Sequence, residues 1–192
     1  MKNLMRILAL IPMLIASMSA AHAAGHYSNT IAVFKNAGGS GTFFGKSYAY
    51  AVFPTVGSGA LGVGGAFGKG RVYVHGVHIG NATLGQVSVG FQAGGKAYSE
   101  IIFFEDKRAL DEFESGNFEF GADASVVAIT AGANAGAATN GASAGASAGQ
   151  NDATTRGIYQ KGMAVFTVAK GGLMYSAAIA GQKFSYSRRG AD

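Results

Sequence analysis

The chain has 192 residues and a formal net charge of +5, and it contains neither Cys nor Trp. It therefore has no disulfide framework and no thiolate metal site, and its length favours one domain with a substantial core. The charges are segregated, because residues 24–99 hold five basic and no acidic residues, whereas residues 100–123 hold eight acidic and two basic ones. This pattern indicates either a basic surface for an anionic partner or an acidic segment that pairs with basic neighbours in the fold.

The first 23 residues have the order of a secretory signal. Lys2 and Arg6 precede an apolar run over 7–15, and the sequence AHA at 21–23 supplies a small-x-small cleavage site. The apolar run is too short to span a membrane, which takes about 20 residues. We therefore expect cleavage after residue 23 and an exported, periplasmic protein made of residues 24–192.

A Gly-rich stretch at 56–70, VGSGALGVGGAFGKG, contains the spacing G-x-G-x-x-G directly after a strand-like segment. A dinucleotide site would need a helix to begin at the third glycine and an acidic residue about 20 positions later. Four further glycines follow instead, each of which costs a helix about 1 kcal/mol relative to Ala. The stretch therefore predicts strands in which a missing Cβ permits close backbone approach, and it excludes a nucleotide site.

The middle of the chain predicts strands followed by one short helix. Apolar and polar residues alternate over 86–93, as in a half-buried strand, and 97–104 continues in a strand-like way. Asp106 is placed to be the N-cap of a helix over 107–115, and Gly116 is placed to end it. We expect this helix to pack as a small lid on the sheet.

Two apolar runs near the end, at 157–170 and 173–187, are joined by a pair of glycines. This arrangement is typical of a β-hairpin. The first run carries large apolar residues at both odd and even positions, which predicts a strand that is covered on both of its faces.

The motifs that could support catalysis fail on their spacing. Two copies of G-x-S-x-G lie in a low-complexity segment at 131–151, but a nucleophile elbow needs a later His, and the last one is His78. On a strand, His75 and His78 would lie on opposite faces, which disfavours a metal site. The carboxylates at 105–114 fit a solvated helix face better than an acid/base pair. We therefore predict that the protein is not an enzyme and has no cofactor or metal.

The segment at 48–74, YAYAVFPTVGSGALGVGGAFGKGRVYV, resembles the opening of the SYLF domain, also called the Ysc84-type actin-binding domain in its fungal members. That opening has the pattern A-x-x-V-F-P and then a Gly-rich run that ends in G-x-G-x-V. Later blocks agree with the same family, namely S-x-G-x-Q-x-G at 88–94, A-L-x-x-F at 109–113, G-A-D-A-S at 121–125 and a closing strand at 175–181. The resemblance covers about 45–187.

The resemblance implies a noncatalytic domain that engages membrane lipid. In eukaryotic members an N-terminal amphipathic helix binds lipid, and its counterpart here, 28–50, is interrupted by four glycines. Aromatic rings beside a cation still offer apolar insertion and contact with anionic headgroups, and each further basic residue near such a surface adds about 1 kcal/mol. The lipid-binding residues predicted on this basis are Phe43, Phe44, Lys46, Tyr48, Lys69, Arg71 and Lys96. The alternative for the three aromatic residues is an ordinary place in the core.

These observations together predict one α+β domain over 24–192, with a curved, mainly antiparallel, Gly-rich sheet and short packed helices. Whether the sheet closes into a barrel is left open. The predicted function is peripheral binding to anionic phospholipid membranes in the cell envelope, with no nucleic acid or nucleotide as a partner. The rival hypothesis is a structural or adhesive envelope protein that binds a protein partner through 131–151.

Overall fold

A computed structural model of the chain describes residues 25–59, 64–88, 96–116, 118–120, 126–129, 145–147, 158–170 and 181–190. Within them, helix α1 covers 25–36, α2 covers Gly38–Gly41 and α3 covers Lys107–Glu114. The predicted signal at 1–23 lies outside the described residues. None of the helices in the described ranges is long and apolar enough to cross a bilayer.

Eight strands form one sheet in the order β6-β5-β7-β4-β1-β2-β3-β8. Their bounds are β1 Ala49–Gly59, β2 Gly64–Val74, β3 Val77–Ser88, β4 Lys96–Phe104, β5 Val126–Ile129, β6 Gly145–Ser147, β7 Met163–Ala169 and β8 Gln182–Arg188. The six neighbours from β7 to β8 pair antiparallel, whereas β5 pairs parallel with both β6 and β7. Among the described residues no pairing joins β6 to β8, so the sheet is open. The predicted α+β class with a mainly antiparallel sheet is confirmed.

The central strand β1 contains a bulge at Pro54. The pairing register shifts between Val52 and Thr55 against β2, and between Phe53 and Val56 against β4. Because proline has no N–H to donate to a neighbouring strand, an irregularity at this point accommodates it inside the sheet. The shift also changes which side chains face which way, so that Phe53 and Val56 lie on the same face of the sheet.

One face of the sheet, the α3 face, is covered by helix α3 and by residues 118–120. Its core is built from alternate positions of the antiparallel strands, which pack against Leu110 and Phe113 of the helix. The ring of Phe113 lies 5.0 Å from that of Phe104 and 5.1 Å from that of Phe184. The prediction that this helix is a lid on the sheet is therefore confirmed.

The opposite face, the α1 face, is covered only in part. Phe34 and Ala37 pack against β1, β4 and β7, whose contributions are Tyr50, Val52, Ile101, Phe103, Ala164, Phe166 and Val168. Strand β7 is buried at its first six positions, which confirms the prediction that it is covered on both faces. The same face of β2, β3 and β8 has no comparable apolar cover among the described residues.

The Gly-rich stretch forms strands, as the sequence predicts, and the described part of it contains no helix. A Cβ added at Gly70 would lie 2.6 Å from ring atoms of Phe53, and one at Gly68 would lie 2.9 Å from Cγ2 of Val56. These two glycines therefore let the neighbouring strand's side chains lie directly over the backbone of β2.

The predicted C-terminal hairpin is wrong. Strand β7 pairs with β4 and β5, whereas β8 pairs with β3 at the other end of the antiparallel sheet. Strands β7 and β8 are therefore separated by four strands, and residues 171–180 between them lie outside the described residues. Local sequence could not reveal this strand order, because the strands that pair with β7 and with β8 come from distant parts of the chain.

The other predicted elements agree with the structure where it describes them. Strand β4 matches the prediction over 97–104, and β3 includes the first three residues of the strand predicted over 86–93. Of the low-complexity segment at 131–151, only strand β6 lies within the described residues.

Candidate functional site

The first of the predicted membrane-contacting aromatics, Phe43, lies in the core. Only 9% of its surface is exposed. Its ring contacts those of Phe103, Tyr159 and Phe166 at centroid distances of 5.4, 5.2 and 5.0 Å. This corresponds to the alternative in which the residue is a core aromatic, because a ring packed on three others cannot also insert into a bilayer without unfolding its surroundings.

The other two predicted aromatics lie on opposite faces of the sheet. Phe44 is half-buried on the α1 face, where its ring lies 4.9 Å from that of Phe103 and under the ammonium of Lys35 at 5.4 Å. Tyr48 packs at the margin of the α3 face, with its ring 5.3 Å from that of His75. The sequence grouped these residues because they are close along the chain, but the fold separates them.

The predicted basic residues also lie in different parts of the structure. Lys46 is exposed just before β1, whereas Lys69 lies opposite Thr55 of that strand. Thr55 lies six positions after Ala49, the first residue of β1, which corresponds to roughly 20 Å along the strand at about 3.3 Å per residue. For Lys96 the structure describes only the backbone, which pairs with Ser58 of β1.

Lys69 and Arg71 do lie together, on the α1 face of β2. They meet the beginning of helix α1 through Tyr27, whose ring lies 4.2 Å below the guanidinium of Arg71. The Tyr27 hydroxyl also donates a hydrogen bond to the carbonyl oxygen of Lys69 at 3.3 Å. Burial raises the pKa of Tyr27, so the phenol is the neutral donor at physiological pH. The helix thus borders these two cations without covering them.

The register of β2, β3 and β8 arranges nine residues on this uncovered part of the α1 face, which we call the basic sheet face. Its three rows across the strands are Phe67-Gly85-Lys183, Lys69-Thr83-Ser185 and Arg71-Asn81-Ser187. Seven of the nine are exposed, and two are half-buried. Hydroxyl groups of Thr83 and Ser185 bond each other across the strands. The face is therefore polar and positively charged, apart from one aromatic ring.

The nine residues of the basic sheet face include no carboxylate, although Glu119 lies directly across from Lys183 at the edge of the face. Strands β1, β2, β3 and β8 contain no Asp or Glu, and the acidic segment makes most of its described ion pairs elsewhere. Three pairs lie on or beside helix α3, between Lys107 and Asp111 and from Arg108 to Asp106 and Glu112. The ion pairs among the described residues reach this face only at Lys183, where Glu119 lies 3.4 Å away. The acidic segment thus leaves Lys69 and Arg71 without an ion-pair partner in the described ranges.

Phe67, Lys183 and the polar residues between them are not among the residues that the sequence predicts for membrane contact. Phe67 stands in a run of glycines, and the two residues that pair with it on the neighbouring strands are 10 and 18 positions away along the chain. Local sequence therefore does not show how exposed Phe67 is. Lys183 reaches the face only because β8 pairs with β3. The charge segregation signalled a basic surface, but the strand order decides which cations share it.

His78 lies at the border of the basic sheet face. Its Nε2 is 3.0 Å from the carbonyl oxygen of Gly80, and its ring lies 5.4 Å from that of Tyr73. Burial, with a contribution from the nearby charge of Arg71, lowers the pKa of His78. The imidazole is therefore neutral at neutral pH and adds no charge to the face.

A separate polar cluster lies inside the α3 face. Gln182 Nε2 donates to Glu100 Oε2 and to the Tyr98 hydroxyl, both at 3.0 Å, and the carboxylate and amide are fully buried. Burial raises the pKa of Glu100 to about 8. Glu100 Oε1 and Gln182 Oε1 have no hydrogen-bond partner among the described residues. This cluster lies on the α3 face, on the opposite side of the sheet from the basic sheet face.

Comparison with known proteins gives two similarities. The family described as Ysc84, Las17-binding protein actin regulator, matches residues 85–189. The chain is also 30% identical over 91 residues to Beta cell expansion factor A of Aeromonas veronii, an alignment that covers 47% of this chain and 27% of the relative. The chain thus matches only about a quarter of that relative's length. Because the family match spans more than half of the 192 residues and agrees with the SYLF-like blocks in the sequence, the chain belongs to the Ysc84 family, the family of the SYLF domain.

Proposed function

We propose that the protein is a noncatalytic domain that docks peripherally on anionic phospholipid membranes through the basic sheet face. Membership in a family of binding domains supports a binding role in place of catalysis. The observation that carries the proposal is the charge of this face, where Lys69, Arg71 and Lys183 lie on the same side of three strands that contain no Asp or Glu. Such a surface complements a plane of anionic headgroups.

The proposed affinity is modest and sensitive to salt. Each basic residue near an anionic bilayer contributes about 1 kcal/mol, so three of them give roughly a hundredfold preference for anionic over neutral membranes. Glu119 offsets part of the contribution of Lys183. Because the charges are exposed, salt screens them. At an ionic strength of about 1 M, where the screening length is about 3 Å, most of the preference for anionic over neutral membranes should be lost.

Vesicle flotation with a charge-removal variant tests the proposal. Replacing Lys69, Arg71 and Lys183 with Gln should lower binding to phosphatidylglycerol-containing vesicles by one to two orders of magnitude, at about 1 kcal/mol per charge. The matched control replaces Lys107, Arg108 and Lys161, which removes the same net charge from positions outside the basic sheet face. Binding by the control should remain near that of the unsubstituted protein.

Equal loss in both variants would show that only total charge matters, and no loss in either would remove the basic sheet face as the docking surface. Lys46 remains a separate prediction, since it lies in the turn before β1 and is not one of the residues of this face. Its replacement by Gln tests whether the turn after α2 contributes to the same binding.

Export and periplasmic residence are also part of the proposal. The N-terminal sequence of the protein recovered from the periplasm tests cleavage after residue 23.

A further inference from the structure

Phe67 is the most exposed aromatic residue among the described large apolar side chains. It is 55% exposed, although it is the fourth residue of an eleven-residue strand that has a neighbour on each side. Its alternation with Lys69 and Arg71 places it on the basic sheet face. Tyr73, at the next alternate position, is by contrast packed against the core of the α1 face.

The exposure of Phe67 follows from its strand neighbours. It pairs with Gly57 of β1 and with Gly85 of β3, and a Cβ built at either glycine meets no atom within 4 Å. An aromatic residue in a sheet normally packs against the side chains directly across from it. Here there is none on either side, so the ring projects from a surface of small residues.

The residues around the Phe67 ring indicate which kind of partner binds the basic sheet face. The neighbouring row contributes Lys69 and Thr83, while Lys183 lies in the row of Phe67 itself, with Glu119 across from it at the edge. Adjacent rows are about 6.6 Å apart along the strands and adjacent strands about 4.8 Å apart, so these cations lie within reach of the headgroups around an inserted ring. One apolar anchor surrounded by cations and hydroxyls suits the interface of an anionic bilayer.

We infer that Phe67 is the insertion anchor of the docked domain. Its ring enters the boundary between headgroups and acyl chains, while Lys69, Arg71 and Lys183 contact anionic headgroups around it. This orients the molecule with β2, β3 and β8 against the membrane and with helix α3 directed away. The inference rests on the proposed function and adds to it an anchor and a docked orientation.

The absence of Trp from the chain permits a direct test. Phe67→Trp places a single tryptophan on the basic sheet face, and Val77→Trp places one at a position that is 65% exposed but lies at the far end of the β2–β3 hairpin. Each full-length variant is mixed with phosphatidylglycerol-containing vesicles whose lipids carry bromine on the acyl chains. We expect a blue shift and quenching for the tryptophan at position 67 and neither change at position 77.

The outcomes separate the anchor from the proposed function. If Phe67→Trp protein floats with the vesicles but its emission stays that of a tryptophan in water, the anchor is wrong and electrostatic docking stands. If the unsubstituted protein does not bind anionic vesicles, both are overturned. Equal quenching at positions 67 and 77 would contradict the orientation.

A second pair of variants guards against a purely structural role, in which the ring stabilises the sheet by covering its glycine neighbours. Phe67→Ser should weaken vesicle binding about fivefold, in line with the apolar area of a half-exposed ring, whereas Phe67→Leu should retain most of it. Urea unfolding of both variants should give midpoints close to that of the unsubstituted protein. Loss of binding in Phe67→Ser that is matched by loss of folded protein would overturn the inference.

Discussion

At the scale of single residues, Gly70 shows how a missing side chain makes room for a large one. The Phe53 ring is fully buried, and two of its carbons occupy the space that a Cβ at Gly70 would need, at 2.6 Å. The ring cannot move aside without displacing other core residues, because interiors are closely packed. Glycine at this position is therefore part of the packing of the α3 face.

We predict that Gly70→Ala lowers the free energy of unfolding by about 1–3 kcal/mol through overpacking. The matched control is Gly85→Ala on the next strand, where the added methyl group meets no atom within 4 Å. That substitution should be neutral or stabilise by up to about 1 kcal/mol, since Ala loses less backbone entropy on folding. Urea unfolding measures both, and equal stability of the two variants would contradict the packing argument.

At the scale of elements, helix α3 depends on its first residue. The Asp106 side chain accepts a hydrogen bond from the backbone N–H of Ala109 at 2.8 Å, which confirms the N-cap predicted from the sequence. The helix has only eight residues, so its own hydrogen bonds cannot hold it in water, and the cap and its contacts with the sheet must. Its first turn carries Lys107 and Arg108, which oppose the helix dipole.

Asp106→Ala should therefore lower the free energy of unfolding by about 1 kcal/mol. Asp106→Ser keeps an N-cap oxygen and should recover most of this loss, which separates capping from the weak ion pair with Arg108 at 3.7 Å. Chemical denaturation followed by circular dichroism measures the difference. A serine variant as unstable as the alanine variant would show that the carboxylate charge matters more than the cap.

The contrast between helix α3 and the aromatic residues shows what the sequence can predict. A cap, an amphipathic pattern and a terminal glycine lie within eleven residues, so the helix can be found locally. The burial of Phe43 and the exposure of Phe67 depend on strands and helices that arrive from elsewhere in the chain. Resemblance to the SYLF domain supplied the family and fold class, but the grouping of side chains on a surface required the strand order.

At the scale of the whole molecule, Glu100 makes stability depend on pH. Burial raises its pKa from an ordinary 4.5 to about 8 in the folded chain, so the folded state binds a proton that the unfolded state has lost between these values. The contribution of Glu100 to the free energy of unfolding is therefore greatest below about pH 4.5. It decreases as the pH rises and levels off above about pH 8. When ionised, Glu100 would be a buried charge. Among the described residues, it accepts a side-chain hydrogen bond from the amide of Gln182.

We predict that the free energy of unfolding falls between pH 5 and pH 9 by an amount on the order of 3 kcal/mol because of Glu100. Glu100→Gln carries no ionisable group and should flatten this dependence, with its advantage over the unsubstituted protein largest at pH 9. Glu119→Gln, at an exposed position, should leave the dependence in place. Urea unfolding across this pH range decides between them, and parallel curves for all three proteins would contradict the assignment to Glu100.

The pairing of β3 with β8 also has a consequence for the order of folding. Thr83 and Ser185 meet across the basic sheet face although 102 positions separate them in the chain. The β2–β3 hairpin can form early, but it supplies only two of the three strands of the face, and the cation of Lys183 is still missing. The chain therefore completes the basic sheet face only after β8 has paired with β3, so this face forms late in folding, when the sheet is nearly finished.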